Sequence, residues 1–176
     1  MEHKILDRIK LVRGDIARLD TDAIVNAANN SLLGGGGVDG AIHKAAGPEL
    51  LEYCKGIGGC KTGEAVITMG YNLQATYIVH TVGPVYSGKA QDKLLLASCY
   101  KNSLQVAVDH DVTSIAFPAI SCGVYGYPIA DACCIAMDSV CDFLKHNSKL
   151  KKVVFALFSN EDYQVYQANL NRLYNK

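Results

Sequence analysis

Short apolar runs alternate with longer amphipathic segments along the whole chain. Six apolar runs bounded by turn residues predict β-strands over residues 9–12, 23–26, 65–69, 77–82, 114–118 and 153–158. Most of these runs are apolar at successive positions, as expected of strands covered on both faces. Apolar residues at helical spacing predict helices over residues 38–46, 91–110, 128–146 and 161–174. The alternation predicts an α/β fold, a three-layer α/β/α sandwich with a mixed, largely parallel central sheet.

Composition indicates an ordinary globular protein. The chain has 176 residues, of which 49 % are hydrophobic and 19 % charged, and we expect residues 1–176 to form one domain. Residues 56–61 are expected to form a loop. The formal net charge is zero, which argues against nucleic acid as a general partner. A phosphate ligand would therefore be held by backbone dipoles rather than by a basic surface.

Targeting, membrane and metal signals are weak. No apolar run reaches about 18 residues, and the first residues lack the apolar region of a signal peptide. Zinc ligands usually occur at C-x₂₋₄-C spacing, which is missing here, so we predict no metal and no cofactor. The odd number of cysteines favours free thiols in a reducing cytoplasm. They are Cys54, Cys60, Cys99, Cys122, Cys133, Cys134 and Cys141.

The most informative segment joins the second predicted strand to the first predicted helix. Val25-Asn26-Ala27-Ala28-Asn29 is followed by Gly34-Gly35-Gly36-Gly37-Val38-Asp39-Gly40. Glycine backbone can approach a ligand closely, and N–H groups before a helix form a concavity suited to phosphate. Asn26, Asn29 and Asp39 would supply hydrogen bonds to a sugar hydroxyl or a water molecule. The same residues also suit ordinary turns and a first helical turn, which is compatible with that function.

Two nucleotide-binding motifs match this region only formally. Gly35, Gly37 and Gly40 have the spacing of the dinucleotide-binding fingerprint, which requires glycines in the strand-to-helix turn itself. Here the glycines begin eight positions after Asn26, and no acid occurs in residues 56–60. Lys61-Thr62 follows a cysteine, whereas a P-loop requires glycine there. We therefore favour neither motif.

A second glycine-bearing loop follows the fifth predicted strand. Its sequence is Ser121-Cys122-Gly123-Val124-Tyr125-Gly126-Tyr127, and a predicted helix comes directly after it. Its N–H groups would suit a diphosphate, Tyr125 could cover a ligand, and Ser121 could add a hydroxyl donor. An ordinary connecting loop is the alternative interpretation. A nucleophilic role for Cys122 is disfavoured because no histidine lies nearby in sequence.

Further candidates follow the first and last predicted strands. A carboxylate at Asp15 can accept the exocyclic amine of adenine, although a cap or turn is its commoner use. Phe158 would stack on adenine, although a lone aromatic residue more often belongs to the core. His43 and His80 are interpreted as structural. All of these loops follow strands, and ligands of parallel sheets bind beyond the carboxyl ends of strands.

These residues together resemble the macro domain family of ADP-ribose-binding modules. The resemblance runs from Val12-Arg13-Gly14-Asp15-Ile16 to Ala156-Leu157-Phe158, and Gly34–His43 is similar to the MacroD-type hydrolase branch, close to bacterial O-acetyl-ADP-ribose deacetylases. It implies that Asn29 and Asp39 are catalytic and that Asn26 supports them. It implies that the remaining residues bind the ligand: Asp15, Ile16 and Phe158 at adenine, and Gly35, Gly36, Gly37, Val38, Ser121, Cys122, Gly123, Val124 and Tyr125 at the diphosphate and distal ribose. Cys122 departs from the threonine common in relatives, and a thiol is a weaker donor.

The resemblance also implies an activity. The expected reaction is hydrolysis of an ester on the distal ribose of ADP-ribose, using an aligned water molecule. The ligands and partners implied are ADP-ribose, O-acetyl-ADP-ribose and proteins mono-ADP-ribosylated on Asp or Glu. The alternative is a non-catalytic reader module, which needs the glycine loops and Asp15 but no acid at the distal ribose.

Overall fold

The computed structural model describes residues 2–175. The order of its helices and strands along the chain is α1 (Glu2–Leu6), β1 (Ile9–Arg13), β2 (Ala23–Ala27), α2 (Gly37–Ala46), α3 (Pro48–Ile57), β3 (Ala65–Met69), β4 (Tyr77–Thr81), α4 (Ala90–Asp109), β5 (Ser114–Phe117), α5 (Ile129–His146), β6 (Lys152–Leu157) and α6 (Asn160–Tyr174). A short 3₁₀ turn, Ile16–Arg18, follows β1.

The six strands form one mixed sheet in the order β1-β6-β5-β2-β4-β3. Every neighbouring pair is parallel except β3 and β4, which are antiparallel. Strand pairs that are parallel need crossover helices, and these helices cover both faces of the sheet. The α/β sandwich with a largely parallel sheet is thereby confirmed.

Two apolar layers hold the helices to the sheet. On one face, α4, α5 and α6 pack over an aromatic cluster in which Tyr100, Phe117, Phe155 and Tyr166 are fully buried. On the other face, α2 and α3 pack over a smaller layer that includes Ile24 and Ile78. The second layer matters for function because its polar rim contains Asn26 and Asp39.

The boundaries of the predicted elements agree with the structure to within one residue, but two helices were missed. These are α1 and α3, and the first two residues of the predicted loop 56–61 belong to α3. A sequence signal for α3 did exist, because Pro48 occupies its first turn and Gly58 closes it in the left-handed conformation at φ 80°. Leu50 and Cys54, one turn apart, are fully buried on its inner side.

The strand order arranges the predicted ligand loops along one edge of the sheet. The strands β1, β6, β5 and β2 are consecutive neighbours and mutually parallel, so their carboxyl ends lie at the same edge. Asp15, Phe158, residues 119–127 and residues 29–39 therefore follow one another along that edge. Three inter-strand spacings separate the first from the last, which is roughly 14 Å.

Candidate active site

Asn29 and Asp39 come together around the backbone of Gly35. A Cβ atom on Gly35 would lie 3.1 Å from Asp39 Oδ2 and 3.4 Å from Asn29 Nδ2. A Cβ on Gly40 would lie only 2.5 Å from the carbonyl oxygen of Gly35, so the loop rests directly on the first turn of α2. Glycine at these two positions is what allows the loop and both polar side chains to occupy one small volume.

The carboxylate of Asp39 is buried and held on one side. Asp39 is in the first turn of α2 and only 4 % exposed. Its Oδ1 accepts a hydrogen bond from Asn26 Nδ2 at 2.8 Å, and His43 Nε2 lies 3.5 Å from the same oxygen. Oδ2 is the oxygen nearer Gly35. One oxygen is therefore anchored by protein groups, while the other faces the glycine loop.

Asn29 is oriented by its own loop. Its Nδ2 donates to the carbonyl oxygen of Gly34 at 2.9 Å, and its Oδ1 accepts from the backbone N–H and the hydroxyl of Ser31. An amide nitrogen carries two hydrogens. The second Nδ2 hydrogen therefore remains for a ligand or a water molecule.

Both glycine loops present backbone N–H groups. In residues 2–175 no protein acceptor lies within hydrogen-bonding geometry of the N–H groups of Gly35 and Gly36, or of Gly123, Val124 and Tyr125. Each loop precedes a helix, α2 or α5, whose N-terminal end favours a negative charge. The two loops thus have the properties of a diphosphate cradle.

The second loop is supported by a close packing against the segment after β4. Ser121 is buried and has the left-handed conformation at φ 65°, and its carbonyl accepts from Tyr127 N–H at 2.9 Å. A Cβ on Gly83 would lie 2.1 Å from Ser121 Oγ, so a glycine is required there. Tyr86 N–H donates to the carbonyl of Tyr125 at 2.8 Å. This segment braces the loop while Val124 at its tip is fully exposed.

The opposite end of the edge contains Asp15 and Phe158. Asp15 Oδ1 accepts from Ala17 N–H at 2.9 Å and caps the 3₁₀ turn, as the structural interpretation of this residue expected. Its Oδ2 is 3.8 Å from Arg18 Nε, and the side chain is 40 % exposed, so a ligand can reach it. Phe158 is 87 % exposed, which excludes a core role and leaves its ring available for stacking.

A model of the Macro domain family matches residues 25–136, which include both glycine loops. The chain belongs to the macro domain family. Among curated relatives, a macro domain-containing protein of Chlorobaculum tepidum is 56 % identical over 163 residues, covering 92 % of this chain and 95 % of that protein. The ADP-ribose glycohydrolase MACROD2 of Homo sapiens is 45 % identical over 177 residues, covering 99 % of this chain. This chain spans only 42 % of that longer protein.

Solved macro domains have the same fold. An Oceanobacillus iheyensis macrodomain variant with ADPR superimposes with a TM-score of 0.91 at 46 % identity, covering 96 % of this chain and 94 % of that one. A Trypanosoma brucei macrodomain in complex with ADP-ribose gives a TM-score of 0.90 at 45 % identity, covering 94 % and 70 % of the two chains.

The remaining residues predicted to bind the ligand in this macro domain differ in their solvent exposure. Gly36 and Gly37 are exposed, and Cβ atoms there would meet nothing within 4 Å. Ile16 is 3 % exposed and packs in the α2–α3 layer. Val38 is half-buried. The dinucleotide-binding alternative also conflicts with the geometry, because β2 ends at Ala27 and α2 begins only at Gly37.

The thiol of Cys122 points into the protein. Its Sγ donates to the carbonyl of Ile120 at 3.4 Å. Burial raises the pKa of this thiol to about 12, so it is protonated at neutral pH. Cys122 would therefore contribute to the loop through its backbone rather than its thiol. The buried, protonated thiol agrees with the sequence argument against a nucleophile.

Sequence reasoning did not connect several residues to the site. His80, expected to be structural, is fully buried with Nδ1 3.2 Å from Asn26 Nδ2, and Thr68 Oγ1 lies 2.9 Å from His80 Nε2. Asn30 fastens the first loop to residues 58–62, because its carbonyl accepts from Cys60 N–H at 2.9 Å and its Nδ2 donates to the carbonyl of Cys60 at 3.0 Å. In the sequence, the pair Asn29-Asn30 was the only sign of this contact, and it did not identify the segment around Cys60 as the partner.

Within residues 2–175, no group of three or more His, Cys, Asp or Glu side chains is arranged to hold a metal ion. Cys54, Cys60, Cys99, Cys122, Cys133 and Cys134 form no disulfide bond. None of the described helices combines the length and apolar character that crossing a membrane requires.

Proposed function

We propose that this macro domain binds ADP-ribose and hydrolyses esters at its distal ribose. The substrates would be O-acetyl-ADP-ribose and proteins mono-ADP-ribosylated on Asp or Glu. The observation that carries the proposal is the buried carboxylate of Asp39 beside Asn29, next to a glycine loop whose N–H groups at Gly35 and Gly36 have no protein acceptor in the described part of the chain.

The order of loops along the sheet edge supports ADP-ribose as the ligand. Asp15 and Phe158, at one end, suit adenine through an amine acceptor and an exposed ring. The two N–H cradles follow and suit the diphosphate. Asn29 and Asp39, at the other end, suit the distal ribose. Relatives solved with ADPR or ADP-ribose, at 45–46 % identity, support the same assignment.

The chemistry proposed for the distal end needs only an aligned water molecule. Asp39 Oδ2 and the second Nδ2 hydrogen of Asn29 orient the water and the ribose, and the bound diphosphate is an additional acceptor for the water proton. Water oxygen adds to the ester, the bond between acyl group and ribose oxygen breaks, and the ribose oxygen takes a proton. The products are a carboxylic acid and ADP-ribose.

A non-catalytic reader is the second candidate. Such a module requires the N–H cradles and the adenine contacts but gains nothing from a buried acid at the distal ribose. The relatives named ADP-ribose glycohydrolase also favour hydrolysis. We prefer the enzyme because the Asp39 carboxylate lies beside the glycine loop, with Oδ2 3.1 Å from the position that a Cβ on Gly35 would occupy.

The test is a release assay. The protein is incubated with a glutamate-linked mono-ADP-ribosylated peptide and, separately, with O-acetyl-ADP-ribose, and free ADP-ribose is measured. We expect release from both, and a loss of roughly 100-fold or more in Asp39→Ala and Asn29→Ala. Binding of ADP-ribose by calorimetry without any release would establish the reader instead.

A further inference from the structure

A buried line of polar side chains crosses the sheet and leads to Asp39. The parallel register of β2 and β4 sets Asn26 opposite His80, and Thr68 lies on β3, the other neighbour of β4. Asn26 and His80 are fully buried, and Thr68 is 4 % exposed. Each of the three lies two residues from a member of the α2–α3 layer (Ile24, Ile78 or Val66), so all three are on the same face as α2. Buried polar groups are normally held by partners. Here the three side chains bond one another, while Asn26 Oδ1 has no partner among the described residues.

The Asp39 carboxylate sets the direction of the hydrogen bonds in this line, because it accepts from Asn26. Asn26 Nδ2 lies 2.8 Å from Asp39 Oδ1 and 3.2 Å from His80 Nδ1, so its two hydrogens serve two acceptors. His80 must then carry its own hydrogen on Nε2, which lies 2.9 Å from Thr68 Oγ1. The hydroxyl of Thr68 donates onward to the carbonyl of Met69 at 3.1 Å.

His80 is kept in the form that accepts from Asn26. Burial, and to a smaller extent the nearby His43, lowers the pKa of His80 to about 3. The two imidazole centroids are 6.4 Å apart. An imidazolium would present N–H groups from both ring nitrogens and would repel the amide N–H of Asn26. The neutral ring retains a lone pair on Nδ1.

This lone pair supports the orientation of the Asn26 amide that the Asp39 carboxylate favours. Rotating the amide by 180° would place Oδ1 against the carboxylate and, with the ring hydrogen on Nε2, against the lone pair of His80 Nδ1. The rotated amide would lose the bond to Asp39, and it would regain one to His80 only if the ring hydrogen moved to Nδ1 and the Thr68 hydroxyl left the carbonyl of Met69. Without an acceptor at position 80, only the contact with Asp39 would favour the observed orientation.

We infer that His80 is a positioning residue for Asp39, holding the Asn26 amide so that Nδ2 anchors Oδ1 of the carboxylate and Oδ2 faces the glycine loop. The inference rests on the proposed hydrolase function. The hydrogen-bond partners of His80 among the described residues are Asn26 and Thr68, which lie outside both loops that would bind the ligand, so it acts on turnover through Asp39 and has no direct part in ADP-ribose binding.

The expected effect follows from geometry. Loss of the acceptor frees the Asn26 amide and with it the carboxylate, and displacements of about 1 Å in a reacting site lower rates by up to roughly 100-fold. We expect His80→Met to lower kcat on the glutamate-linked peptide by about 10- to 100-fold, with the Kd for ADP-ribose within about 3-fold of wild type. His80→Gln restores an acceptor oxygen toward Asn26 and a donor toward Thr68, so we expect it to retain kcat within about 3-fold.

Thr81→Val is the matched control. Thr81 is the next residue on β4, fully buried on the opposite face, and its hydroxyl donates to the carbonyl of Glu64 at 2.7 Å. The substitution removes a buried hydrogen bond without contacting Asn26. The free energy of unfolding should therefore fall while kcat stays at the wild-type value. If His80→Met fails to fold, Thr68→Val is used in its place. Valine removes the acceptor of the His80 Nε2–H group and so favours the tautomer with the hydrogen on Nδ1, which cannot accept from Asn26. We expect kcat to fall by about 3- to 10-fold.

The side-chain amide signals of Asn26, followed by NMR, separate this inference from the proposed function. In wild type and His80→Gln these hydrogens should be protected from solvent exchange, and in His80→Met the protection should fall. Wild-type kcat in His80→Met, an equal loss in His80→Gln, or an equal loss in Thr81→Val overturns the inference. If wild type releases no ADP-ribose, the proposed function fails and the amide signals decide alone: identical protection in all three proteins overturns the positioning role.

Discussion

Replacing Gly40 by alanine should separate the function of this macro domain from its stability. The new Cβ would lie 2.5 Å from the carbonyl oxygen of Gly35, whereas real Cβ atoms essentially never approach below 3.0 Å. The carbonyl must therefore retreat by about 0.5 Å or more, and it can do so only by moving the glycine loop, because Gly40 is fixed in α2. The moved loop includes Gly35, around which Asn29 and Asp39 meet.

The substitution has two effects on stability, of opposite sign, and only the overpacking also affects function. Alanine within a helix stabilises by up to about 1 kcal/mol relative to glycine. Overpacking costs about 1 to 3 kcal/mol. The net change in the free energy of unfolding is thus within about 2 kcal/mol, or a few degrees in Tm. A loop displaced by a sizeable fraction of an ångström should lower kcat/KM by roughly 10- to 100-fold.

Gly56→Ala provides the matched control for this experiment. Gly56 lies in α3, is exposed, and a Cβ there would meet nothing within 4 Å. We expect it to raise the free energy of unfolding by about 0.5 to 1 kcal/mol with wild-type kcat/KM. The assay is release of ADP-ribose from the glutamate-linked peptide, with thermal unfolding followed in parallel. Wild-type kcat/KM in Gly40→Ala would refute the claim that this close contact sets the loop.

Four further predictions concern other parts of the site. Asp15→Ala should weaken ADP-ribose binding measured by calorimetry, with the fold intact and only about 1 kcal/mol lost from the cap; unchanged affinity would refute the adenine role. Phe158→Ala should cost about 1 to 3 kcal/mol of binding through lost stacking while Tm stays constant, because the ring is 87 % exposed; a drop in Tm would indicate packing instead. Because the pKa of His80 falls to about 3 in the folded state, against 6.5 ordinarily, unfolded chains take up its proton first on acidification. The stability that this residue contributes is complete above about pH 6.5 and is lost as the pH falls toward 3. His80→Gln should therefore reduce the fall of the free energy of unfolding with decreasing pH by up to about 1.4 kcal/mol per pH unit, measured by urea unfolding between pH 4 and 6. Equal slopes in the variant and the wild type would contradict this prediction. Iodoacetamide at pH 8 should leave hydrolysis unchanged, because burial raises the pKa of Cys122 to about 12; rapid inactivation prevented by Cys122→Ser would show a reactive thiol.

Much of the fold was predictable because local pattern and tertiary environment agree. The strands are short and apolar on both faces, and residues 65–69 were predicted with their observed bounds. Helix α3 escaped prediction although Pro48 and Gly58 marked its ends, because Gly47-Pro48 and Gly56 to Gly59 suggest loops when considered alone. Only burial of Leu50 and Cys54 under the sheet face made this segment a stable helix.

The amino-acid sequence by itself determined which chemical groups exist at each strand end: the glycine backbone N–H groups, the two amides of Asn26 and Asn29, and the carboxylate of Asp39. It could not determine which of them meet, because contacts between distant residues depend on strand order and register. Tertiary structure alone decided that β1, β6, β5 and β2 are neighbours, which brings four separate loops to one edge of the sheet. It also decided that Asn26 faces His80 across a parallel register, and that Phe158 is exposed instead of buried. The physical reason is that a side chain's partner, exposure and pKa are properties of its surroundings, and those surroundings come from elements far away along the chain.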